Sequence, residues 1–117
     1  MEILAATDAL RNSPFAKQLD NVLFIRFCDG AFLFYTVGLV YRVTNDAVNI
    51  AGLSDGATPT PQELKRTLAW ARQQRVIGRM GLEQVRRYAR AYKNAVVKHC
   101  KAKGLRIPAM DVEKLAR

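Results

Sequence analysis

A chain of 117 residues, half of them hydrophobic, is long enough for one modest core and too apolar to be disordered throughout. Its formal charge of +9 and pI near 10.1 point to polyanionic partners: nucleic acid, an acidic membrane surface or an acidic protein. Cys28 and Cys100 form no CxxC pair and are too few for a disulfide scaffold, and MEILAATDALRNS lacks a basic-then-apolar leader, so free thiols in a cytoplasmic, single-domain protein are expected.

The first dozen residues place Ile3, Ala6 and Leu10 on one side of a short helix. Ser13 and Pro14 then read as an N-cap and first helical residue, opening a second short helix with Phe15 and Leu19 as its apolar pair.

Residues 22–53 read as a three-stranded antiparallel meander. Asp29-Gly30 is a two-residue hairpin signal, because a type I′ turn needs two positive φ angles. Asn45-Asp46 supplies a second turn before a strand over Val48 to Leu53, which leaves the chain between the turns as the middle strand. In that register one face carries Leu23, Ile25, Phe27, Phe32, Phe34 and Val40. The other carries Val22, Phe24, Leu33, Tyr35, Val37, Leu39, Tyr41 and Val43, interrupted by Arg26. A sheet with one wet face alternates apolar with polar, and this one does not. Both faces therefore need cover, and the face with Tyr35, Tyr41 and Arg26 is the candidate contact surface for a partner, a second copy or a larger protein complex.

SDGATPTP, residues 54–61, marks a loop and a change of charge. Residues 1–60 carry a net −2, and residues 61–117 a net +11. Thr60, Pro61, Gln62 and Glu63 form a capping box with proline at the first helical position, opening a helix to about Gln74 or Ile77. Gly78 and Gly81 bracket a break. A longer helix then carries Leu82, Val85, Ala89, Tyr92, Val96 and His99 at helical spacing and ends at Gly104, with Leu105 as the apolar contact of its cap. Residues 109–117 suggest a last short helix. The expected fold is α+β: short N-terminal helices, a three-stranded meander, two main basic helices and a short C-terminal one.

On the basic helices Lys65, Arg72, Arg75 and Arg79 make one row. Arg86, Arg90, Lys93 and Lys101 make another, flanked by Arg87 and Lys98. A merely solvated helix face mixes both signs of charge, whereas only Glu63 and Glu83 stand near these rows. One sign in excess repels itself unless an anion is bound, and the arginine fork suits phosphate oxygens. Trp70 lies off the Leu64–Leu68–Ala71 face and reads as a flanking core residue, with a contact residue as the alternative. Tyr88 sits at the edge of the apolar stripe, and among these charges both are candidate stacking residues.

Other chemistries fit poorly. A helix-turn-helix centred on Gly81 would want a small residue where Ile77 stands and apolar ones where Arg87 and Arg90 stand. GAFLFY lacks the basic residue and the aromatic that an RNA-binding sheet strand of this kind carries around its glycine. Glu63 and Lys65 with Asp46 or Asp55 resemble an acidic nuclease site, yet Glu63 has a capping role. His99 and Cys100 point apart on a helix without further ligands. The uncharged run Gly30 to Tyr41 is too short for a membrane span, which needs about 20 residues. The expectation is a non-enzymatic nucleic-acid-binding accessory protein without cofactor or metal, held to DNA or RNA through the phosphate backbone. An interaction module or inhibitor docking on another protein is the alternative.

Overall fold

The computed structural model describes residues 1–77 and 81–117, residues 75–77 by their backbone alone. The chain divides into two compact units, Met1–Pro59 and Thr60–Arg117. The α+β architecture is as expected, with one strand more.

The first unit opens with helix α1 (Ile3–Arg11), whose Ala6, Thr7 and Leu10 are buried. Thr7 can be buried because its hydroxyl donates to the Ile3 carbonyl at 2.7 Å. The segment after Pro14 is a 3₁₀ helix over Ala16–Asn21 rather than an α-helix capped by Ser13. Ser13 closes the preceding turn instead: its Oγ donates to the Leu10 carbonyl at 2.6 Å and accepts the Phe15 N–H at 3.1 Å.

Four strands follow, β1 (Phe24–Cys28), β2 (Ala31–Tyr35), β3 (Leu39–Val43) and β4 (Val48–Leu53), in an antiparallel sheet of order β1-β2-β3-β4. The Asp29-Gly30 turn is present with φ of 52° and 77°, both positive as a type I′ turn requires. Cys28 pairs with Ala31, and Phe24 with Tyr35. The expected single middle strand is instead two strands, reversed at Thr36-Val37-Gly38. Gly38 takes φ 98°, a conformation that costs any residue with a Cβ. Ser54 staples the reversal from 16 residues away, accepting the Gly38 N–H at 2.9 Å and donating to the Thr36 carbonyl at 2.6 Å.

This turn re-sorts the faces. Residues directly opposite one another share a face, and Phe34 pairs with Tyr41 while Tyr35 pairs with Val40. Tyr35 and Tyr41 therefore lie on opposite faces, not together. Ile25, Phe34, Tyr41 and Val43 form the first buried face, and Phe15 packs on Tyr41 there, 5.1 Å between ring centroids. On the second face Phe24 and Tyr35 stack at 4.3 Å beside buried Ala31 and Val40.

The second unit begins with α2 (Pro61–Ile77), followed by α3 (Leu82–Lys103) and α4 (Val112–Ala116). The capping box of α2 is formed as the sequence implies: the Thr60 N–H donates to Glu63 Oε1 at 2.8 Å, and the Glu63 N–H donates to Thr60 Oγ1 at 3.2 Å. The α2 core stripe is Leu64, Thr67, Leu68, Ala71 and Gln74, with Trp70 beside it. α3 ends at Gly104, with φ 66° and the Leu105 N–H on the Cys100 carbonyl at 2.9 Å. Leu105 itself is exposed. Asp111 caps α4, accepting the Glu113 N–H at 3.0 Å.

Candidate nucleic-acid interface

On α3 the buried residues are Val85, Tyr88, Ala89 and Cys100. With 3.6 residues per turn, the opposite side holds Glu83 in the first turn and then Arg87, Arg90, Asn94, Lys98 and Lys101, all of them exposed. Arg87 and Lys101 are separated by about 21 Å along the axis at 1.5 Å per residue. None of these four cations forms an ion pair among the described residues. Their charge faces solvent along one straight row.

Arg86 is different. Its guanidinium pairs with Glu83 at 2.7 Å and with Glu113 of α4 at 2.9 Å. The Glu83 hydrogen bond, then that of Glu113, holds it above its ordinary range. Arg86 ties α4 to α3 and, unlike the row, is ion-paired. The sequence places Arg86 among open cations, and the structure pairs it instead, because Glu113 lies close in space and far in sequence. Lys93 flanks the row and is half-buried.

On α2 Lys65 is exposed and Arg72 half-buried, its Nε buried without a hydrogen-bond partner. The Arg75 side chain and Arg79 lie outside the described residues. Arg66, not singled out from the sequence, is exposed beside Lys65. Reading Thr67 and Gln74 as part of the inward stripe finds it. Thr67 tolerates burial because its hydroxyl donates to the Glu63 carbonyl at 2.9 Å.

The aromatic candidates are not open to a base. Trp70 and Tyr88 are each 1% exposed and meet edge to face, 6.2 Å between centroids. Burial pushes the Tyr88 phenol up, against smaller lowering by the Gln84 amide and the Arg87 charge. In the first unit Tyr35 and Tyr41 are buried. Arg26 lies over the Phe24 and Tyr35 rings at 5.6 and 5.0 Å, donates to Tyr35 Oη at 3.0 Å and reaches the Thr58 carbonyl at 3.4 Å. These three residues serve the interior of the chain, not an open contact surface.

Sites for other chemistry are sparse. Cys28 is exposed, but its hydrogen bond to Asp29 at 3.5 Å and the carboxylate charge push the thiol up, away from the nucleophilic thiolate. An open pocket of about 290 Å³ between Asn12, Pro14 and the Thr44–Val48 turn has Asp46 as its one ionisable group. Among the described residues no cluster of three or more His, Cys, Asp or Glu could hold a metal, and no helix is long and apolar enough to cross a membrane. Compared with protein-family models, with curated proteins and with solved structures, the chain finds no match.

Proposed function

We propose that this protein is a small non-enzymatic nucleic-acid-binding protein that holds the phosphate backbone against the outer face of α3. The observation that carries this reading is the exposed row Arg87, Arg90, Lys98 and Lys101, with no ion pair among the described residues. Cations left unpaired in a row repel one another, and a polyanion relieves that repulsion while releasing its own counterions. Lys65 and Arg66 on α2 add exposed positive charge to the same unit.

The test is equilibrium binding of the full chain to duplex DNA, single-stranded DNA and RNA between 50 and 200 mM salt. Four phosphate contacts on a duplex give a log–log slope of about −3.6, hence roughly a hundredfold loss of affinity over that range. No binding to any of the three at low salt overturns the proposal.

A second reading rests on the first unit. β4 is an edge strand with no charged residue. Its Ile50 and Leu53 are exposed, and Val37, in the turn beside Leu53, is 83% exposed. An uncharged edge of this kind pairs readily with another strand. It supports a protein-interaction module that docks through the sheet.

A further inference from the structure

We propose that Asn94 reads a base edge in the major groove of duplex DNA, with the four flanking cations of α3 clamped on the phosphates to either side. This rests on the phosphate-binding reading above and adds to it the form of the nucleic acid and a residue for specificity.

Three observations lead to Asn94. The first is position. Along the exposed face, after Glu83 at the helix start, whose carboxylate is paired with Arg86, the order is Arg87, Arg90, Asn94, Lys98, Lys101, with spacings of three, four, four and three. A neutral amide stands at the centre of a symmetric cationic row. The inner cations lie about 6 Å from it along the axis and the outer ones about 10 Å, and all five fall within an arc of about 80°.

The second is cost. Asn94 is exposed in the middle of a 22-residue helix, where asparagine is a poorer helix former than alanine, lysine or glutamine. No hydrogen bond from its amide to a described residue repays that local preference. An open amide carries one acceptor and two donors, the pattern that meets adenine N6 and N7 in a bidentate contact.

The third is what the face lacks. It has no aromatic side chain: Tyr88 is buried against Trp70, and Tyr92 is turned toward the Val85–Ala89–Val96 side and half-buried. Single-strand binding relies on stacking platforms, and none is offered here. A lone helix about 10–12 Å across fits the B-DNA major groove, about 12 Å wide. The deep, narrow major groove of A-form RNA does not admit side-chain reading. Duplex DNA is the ligand that uses the cations and the amide together.

The experiment is selection of duplexes from a random-sequence DNA library by the full chain, followed by affinity measurement on an enriched duplex and a scrambled one. The enriched duplexes are expected to share an adenine at a fixed place. Asn94→Ala is expected to weaken the enriched duplex about tenfold, the scale of one bidentate base contact, and to leave the scrambled duplex within about twofold. Because alanine is the better helix former, such a loss does not come from unfolding. Duplex binding without any enrichment, an equal loss on both duplexes, or tighter binding to single strands overturns the inference while the phosphate row stands. Absence of binding to any nucleic acid at low salt removes both readings.

Discussion

The Tyr88 hydroxyl sits in the interior of the second unit, and burial pushes its ionisation above the ordinary tyrosine value of 10.0. In the unfolded chain the phenol ionises at that ordinary value, while in the folded chain it stays neutral to higher pH. The stability it protects is therefore complete below pH 10 and is lost as pH rises through the raised folded value. Denaturant unfolding at pH 8 and pH 11 is expected to show a smaller loss of stability for Tyr88→Phe than for the parent chain. An equal loss in both would place the phenol in solvent. Residue by residue, the sequence located most cations and misjudged their company. Arg86 reads as one more member of a basic row, yet Glu113, 27 positions on, pairs with it. Arg26 reads as an exposed contact residue, yet it lies over two rings of its own sheet. Such pairings depend on which elements meet, and spacing within one element does not report them.

At the scale of the element, local chemistry was legible and long-range chemistry was not. The Asp29-Gly30 hairpin, the Asn45-Asp46 turn, the capping box of α2 and the Gly104 end of α3 all carry their signal within four or five adjacent residues, and each is present. The reversal at Thr36–Gly38 was hidden in an aromatic and β-branched run, and Ser54, 16 residues on from Gly38, supplies three of the hydrogen bonds that hold it. Missing it merged β2 with β3 and put Tyr35 and Tyr41 on one face. Trp70, read from the sequence as a flanking core residue with a contact role as the alternative, is core, and the inward stripe of α2 beside it includes polar Thr67 and Gln74. The capping box makes its own prediction. Thr60→Ala removes the acceptor for the Glu63 N–H, and denaturant titration is expected to show a loss of about 1 kcal/mol. An unchanged midpoint would mean that the α2 terminus frays in solution.

Across the whole molecule charge is segregated by unit. Met1–Pro59 carries a net −2 and the uncharged β4 edge, and Thr60–Arg117 carries a net +11 and the α3 row. This division was legible from the charge pattern alone, because net charge sums over residues without needing their pairing. The exposed Val37, Ile50 and Leu53 predict weak self-association through β4. Light scattering is expected to show an apparent mass that rises with concentration and falls back to monomer for Ile50→Lys, since charge on an edge strand blocks pairing. A monodisperse parent chain at high concentration contradicts that edge contact. The central claim is that the exposed row of α3 contacts phosphate. Its most direct test compares the salt dependence of duplex DNA binding for the parent chain, for a variant with alanine at Arg87, Arg90, Lys98 and Lys101, and for Arg86→Ala. The fourfold variant is expected to lose about 3 to 4 from the log–log slope, whereas Arg86→Ala keeps the parental slope. A fourfold variant whose slope matches that of the parent chain would mean that the row does not touch phosphate.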